Sequence, residues 1–149
     1  MVAPVLVLAC GNPSRGDDGL GPELAAALER DQAFAIARGE LEVLTDFQLS
    51  VEHALELPGR RRVIFVDAAA SGPEVVLEAL EPRRDDSFTT HRLSPPALLQ
   101  VYRDIEAAPL PECRLLAVRG ERFELGEGLS ARAQANLRRA LEVLEAELR

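Results

Sequence analysis

Val5-Leu6-Val7-Leu8-Ala9-Cys10-Gly11-Asn12-Pro13-Ser14-Arg15-Gly16-Asp17-Asp18-Gly19-Leu20-Gly21 is the stretch that decides the fold. The run Val5 to Ala9 is apolar without interruption, as expected of a short strand covered on both faces. Gly11-Asn12-Pro13-Ser14 stops it with residues that favour turns. From Leu20 to Asp31 the period changes to that of a helix, with Leu20, Leu24, Ala27 and Leu28 on one face. Pro22 is tolerated there, because the first helical turn needs no backbone donor. A buried strand, a tight turn and an amphipathic helix are the opening of an α/β unit.

The rest of the chain repeats the alternation. Strands are predicted at Leu41 to Thr45, Arg62 to Asp67, Val75 to Leu80 and Cys113 to Val118. Helices are predicted at Ser50 to Leu57, ended by Pro58-Gly59, and at Ser94 to Glu106, capped by Ser94 with Pro95 in the first turn. The last helix spans Ser130 to Leu148, with Leu137, Leu141, Leu144 and Leu148 as its apolar stripe. Pro82 opens a charged stretch through Ser87 that is expected to be mobile. With no internal repeat and no linker, the pattern predicts one domain over 1–149. Its expected form is a three-layer α/β/α sandwich around a mostly parallel, twisted sheet, with ligand sites beyond the carboxyl ends of the strands.

Composition narrows the function classes. The net charge is −8, with 25 acidic against 17 basic residues, and every basic residue is arginine. This balance opposes a nucleic-acid partner, whose footprint is a basic patch. The only basic run, Arg60 to Arg62, is expected to be a solvated entrance to a strand. Cys10 and Cys113 are too far apart for a metal motif, and both are expected to be buried thiols. The apolar N-terminus is too short to span a bilayer and lacks the charged front of a signal peptide. A cytosolic protein without a membrane partner is therefore expected.

Three loops carry the chemistry. In the first, glycines flank the pair Asp17-Asp18 at a helix start. A phosphate cradle is one reading, but two carboxylates would repel phosphate, and the P-loop lysine is missing. A structural cap is the other. Asp67 follows Val63-Ile64-Phe65-Val66, and His91 precedes a helix, where it is expected to be accessible. His53, beside Glu52 in a short helix, is expected to have a surface role. If Asp18, Asp67 and His91 meet on one rim, two oxygens and a nitrogen suit a borderline divalent ion such as nickel or zinc. No serine or cysteine stands with a histidine and an acid in a recognisable catalytic order, so covalent catalysis is not expected.

The ordered blocks resemble the hydrogenase maturation endopeptidases (peptidase family M52, of the HyaD, HybD and HycI kind). They are Gly11 to Gly21, Gln48-Leu49-Ser50-Val51-Glu52, Val63 to Ala68, Thr89-Thr90-His91 with Leu93-Ser94-Pro95, and Phe123 to Ser130. The resemblance implies nickel contacts and catalytic roles at Asp18, Asp67 and His91, with Asp17 as the alternative to Asp18. It also implies that the nickel belongs to the partner, a NiFe-hydrogenase large-subunit precursor, and that the resting protein carries no metal. The implied reaction removes a C-terminal extension from that precursor. Two other readings are a nickel-dependent chaperone that binds the precursor without cutting it, and a phosphate- or nucleotide-handling enzyme built on the glycine-rich loop.

Overall fold

In the computed structural model, residues 2–84, 93–105 and 108–149 are described. Strand β1 (Val5–Cys10) is followed by a 3₁₀ turn (Gly16–Gly19) and helix α1 (Leu20–Asp31). Then come α2 (Ala33–Ala37), β2 (Leu41–Asp46), a second 3₁₀ turn (Val51–Glu56), β3 (Arg62–Ala69) and β4 (Val75–Ala79). Helix α3 (Pro95–Ile105), β5 (Glu112–Arg119) and α4 (Ala131–Glu147) complete the chain. The sheet runs β2-β1-β3-β5-β4, parallel throughout except for β4, which is antiparallel to β5.

Side-chain alternation along the inner strands builds two cores. Val7 and Ala9 of β1, with Ile64 and Val66 of β3, face α1 and α4. Leu6, Leu8 and Cys10, with Val63 and Phe65, face α3 and the Val51–Glu56 turn. Both faces are therefore covered, which is why Val5–Cys10 and Val63–Val66 are apolar at every position and not at alternate ones. The three layers and the mostly parallel sheet agree with the sequence pattern.

Four details depart from it. β3 continues past Asp67 to Ala69, because β5 pairs with it as far as Ala69↔Arg119. Only five residues separate β3 from β4, too short a connection for a parallel crossover, so β4 must run the other way. The 51–56 segment is a 3₁₀ turn and not a regular helix, and α2 is a single exposed turn with no period to detect. In α4 the deepest stripe is Ala133, Asn136, Ala140 and Leu144, while Leu137, Leu141 and Leu148 flank it. Small residues let the helix lie close to the sheet. Asn136 is accepted there because its Nδ2 donates to the Arg119 carbonyl at the end of β5 (2.9 Å).

Of Arg60 to Arg62, expected to be a solvated entrance, Arg61 is exposed but Arg60 is buried and Arg62 partly so. The Arg60 guanidinium is buried and donates to the Ala3 and Glu56 carbonyls (2.9 Å each) and to Glu42 Oε1 (2.6 Å). Arg62 donates to the Glu147 carbonyl at the end of α4 (2.7 Å). These arginines tie the amino-terminal side of the sheet together. Near the start of α3, the Arg83 N–H donates to the Pro96 carbonyl (3.0 Å), joining the two ends of the segment between β4 and α3.

Candidate active site

β1 has β2 on one side and β3 on the other, so the chain leaves β1 toward one neighbour and returns on the other. The crevice at the carboxyl ends of β1 and β3 is the switch point where open α/β sheets place ligands. The Gly11–Gly19 loop leaves β1 at that point. Gly11 has φ +153°, and a Cβ there would collide with the Asp18 carbonyl, so the turn requires glycine.

Every backbone donor from Gly11 to Asp18 is bonded within the protein. Gly11 donates to the Asp46 carbonyl, Arg15 to Asn12, Gly16 to Glu127, Asp17 to Arg122 and Asp18 to Arg15 (2.7–3.1 Å). Asn12 N–H donates to Asp18 Oδ2 (2.7 Å) and Ser14 N–H to Asn12 Oδ1 (2.9 Å), while Pro13 has no N–H. A phosphate cradle presents such donors to its ligand; this loop has spent them on itself.

The two adjacent aspartates have different surroundings. Asp17 is fully buried and accepts four hydrogen bonds: from Glu121 N (2.6 Å), Arg122 N (3.0 Å), Ser130 N and Ser130 Oγ (2.7 Å each). Burial alone would push its pKa up, but the bonds from Ser130, Glu121 and Arg122 outweigh it and hold the carboxyl below its usual value. Ser130 Oγ also accepts from Ala133 N (3.1 Å), capping α4. Asp17 is thus a strut between the first loop, the loop after β5 and the start of α4. Gly120 makes room for it, since a Cβ there would stand 2.5 Å from Asp17 Cβ.

Asp18 is 4% exposed, and the bond from Asn12 N–H fixes its orientation. Its turn packs against β3. Asp67 is half-buried, and its Oδ1 accepts from the Ala68 N–H (2.8 Å). It continues the side-chain parity of Val63 and Phe65 and lines a cavity of about 210 Å³ together with Leu8, Cys10, Leu49, Phe65 and Leu93. Asp18 is not among the described residues lining that cavity. His91, the third residue of the expected set, lies outside the described residues. Among the described residues, no three His, Cys, Asp or Glu side chains converge as a metal site.

His53 is not a surface residue. Its Nδ1 accepts the Ser50 N–H (2.9 Å) in a reciprocal cap of the 51–56 turn, so its proton is on Nε2, 3.2 Å from Asp46 Oδ2. This brings an acid, a histidine and a serine together, with Ser50 Oγ 3.4 Å from Nδ1. The Nδ1 lone pair is occupied by the Ser50 backbone, so the histidine is held as a cap and not as a base for the serine hydroxyl. Cys10 and Cys113 are both buried. Burial, with Glu112 adding to it, pushes the Cys113 thiol up to about 12, which keeps it protonated and unreactive.

Two features were not foreseen from the residues. The Asp17–Ser130 strut joins positions 113 apart; only the occurrence of both in family-like blocks gave any signal. The cavity draws its lining from five separate segments, and no spacing in the sequence announces such a convergence.

No protein-family model matches the chain, and no curated protein matches it. Solved structures do. The hydrogenase maturating endopeptidase HybD from E. coli is 24% identical, with a TM-score of 0.72 over 99% of this chain and 92% of that one. The [NiFe] hydrogenase maturation protease HycI from Thermococcus kodakarensis KOD1 is 19% identical, with a TM-score of 0.74 over 98% and 92%. A hydrogenase 2 maturation peptidase from a Thaumarchaeota archaeon is 24% identical, with a TM-score of 0.66 over 97% of each chain. The protein shares their fold from end to end.

Proposed function

We propose that the protein is an endopeptidase that removes the C-terminal extension from the nickel-loaded large-subunit precursor of a NiFe hydrogenase. The observation that carries this reading is the full-length likeness of fold to hydrogenase maturation proteases. Asp18 and Asp67, at the switch point where such a fold places its ligands, support it.

In this reading Asp18, Asp67 and His91 engage the nickel, which is cargo of the precursor and not a resident cofactor. Asp18 is assigned in preference to Asp17, whose carboxylate is already bonded to four protein donors. Two carboxylates and an imidazole suit a borderline divalent ion. Backbone N–H groups hold Asp18 and Asp67 in set orientations before substrate arrives, so the gain is mainly positional. Hydrolysis requires a proton to leave the attacking water and reach the departing amine. A site carboxylate, Asp18 or Asp67, carries it, making the chemistry of aspartyl type and non-covalent.

Among the described residues, no helix is long and apolar enough to cross a membrane. The reading places the reaction in the cytoplasm, with the large-subunit precursor as partner and neither nucleic acid nor membrane involved. The test is mass spectrometry of nickel-loaded and metal-free precursor after incubation with the protein. Loss of a C-terminal peptide from the loaded form alone is the expected result. A stable complex without a change in mass would replace this reading with the chaperone one.

A further inference from the structure

The cavity beside Asp67 has no role in the reaction as described so far. Its volume of about 210 Å³ exceeds the ~150 Å³ of an apolar cavity that admits benzene. A leucine, methionine or phenylalanine side chain therefore has room. Leu8 and Phe65, 1% and 2% exposed, form apolar walls, and Leu49 and Leu115 extend them. Phe47 lines the same cavity while remaining 64% exposed, so its ring stands where the cavity meets solvent. Asp67 is also part of the lining, so one carboxylate of the proposed site stands in the cavity wall.

We propose that this cavity receives one apolar side chain of the peptide being cut, from a residue adjoining the scissile bond. The inference rests on the endopeptidase reading and adds to it a specificity pocket. A side chain filling the cavity leaves its own backbone at the mouth, beside Asp67. Neighbouring residues along an extended peptide are only ~3.3–3.6 Å apart, so an occupied cavity brings the adjacent peptide bond to that carboxylate. A carboxylate side chain is rejected twice, by apolar walls that cannot pair it and by repulsion from Asp67. Selection by size follows, because an apolar pocket distinguishes side chains by about 10–200-fold per methylene.

The experiment uses nickel-loaded precursors in which the residues on either side of the cut bond are changed, one at a time, to Gly, Ala, Leu, Phe, Asp or Arg. These are processed by the wild-type protein and by Leu115→Phe and Leu49→Phe, two variants that narrow the cavity, with folding of each checked by thermal melting. At one of the two positions, wild-type kcat/KM is expected to be at least about 10-fold higher for Leu or Phe than for Ala, and lowest for Asp. A narrowing variant that folds is expected to shift that ratio toward Ala by a similar factor. Equal processing of all residues at both positions overturns the pocket but leaves the protease reading intact. A preference for Arg over Leu and Phe at both positions overturns the apolar assignment, and so does an unchanged ratio in a folded narrowing variant. If the wild-type protein cuts no precursor at all, the protease reading and the pocket fail together.

Discussion

Asp17 and Asp18 are chemically identical neighbours in different surroundings, and their hydrogen bonds separate them. Asp17→Ala would leave the four donors that bond to its carboxylate unpaired in a buried site. The expected loss is about 3 kcal/mol or more, measured by urea unfolding at pH 7. The pH dependence has a definite sign. The folded-state pKa is depressed, so this stabilisation is present above the unfolded aspartate value of about 4. It is lost as pH falls through the lower folded value, and the gap between wild type and Asp17→Asn is expected to close there. Asp18→Asn and Asp67→Asn each keep an oxygen to accept the Asn12 or Ala68 N–H. Both are expected to melt within a few degrees of wild type while precursor processing falls by about 10²–10⁴-fold. Full processing by either variant would remove that residue from the mechanism. From sequence Asp18 led with Asp17 as its alternative, because no local pattern reports which carboxylate turns toward Ser130. His53 misled for a similar reason, since a cap that runs backward from histidine to Ser50 looks like an exposed helix position when only spacing is available.

Helix α4 shows how an element can be legible in outline and not in detail. Its limits followed from Ser130 and the leucine spacing, yet its deepest contacts are alanines and an asparagine. Sequence patterns weight large apolar residues, whereas close helix-to-sheet packing selects small ones. Ser130 caps the helix and also donates to Asp17, so Ser130→Ala is expected to cost about 2 kcal/mol, at the upper end for a cap. Combined with Asp17→Ala, the two losses are expected to fall short of additive in unfolding experiments, because they remove a shared contact. A second feature of α4 lies where it meets the end of α1. A hydrogen bond with Asp31, with burial adding to it, pushes the Glu145 carboxyl up. A raised carboxyl favours the folded state at low pH and loses that advantage as pH rises through its folded value. Glu145→Gln is therefore expected to raise the thermal midpoint at neutral pH, with the gain vanishing in acid.

For the whole molecule, strand burial on both faces was readable because β1 and the Val63–Val66 run of β3 carry apolar residues at every position. Strand order and the reversal of β4 were not, because they depend on which edges pair and how far connections reach. Asp67 stood out because it follows the apolar run Val63 to Val66, and Asp18 because it is an acid where the first loop meets α1. The cavity was hidden because residues from β1, β3, β5 and two connections meet only after the sheet has formed. The bond between Arg83 N–H and the Pro96 carbonyl has a consequence for how such a protein can change. It holds together the two flanks, Arg83 and Pro96, of the stretch of chain that carries His91. Doubling the length of such a closed segment costs only ~0.6 kcal/mol of closure entropy. Segments of different length grafted between these two residues, each keeping His91, are expected to melt within a few degrees of one another while differing in which precursor they process. The choice of substrate could then change along one stretch of chain while the sheet and its two cores stay as they are.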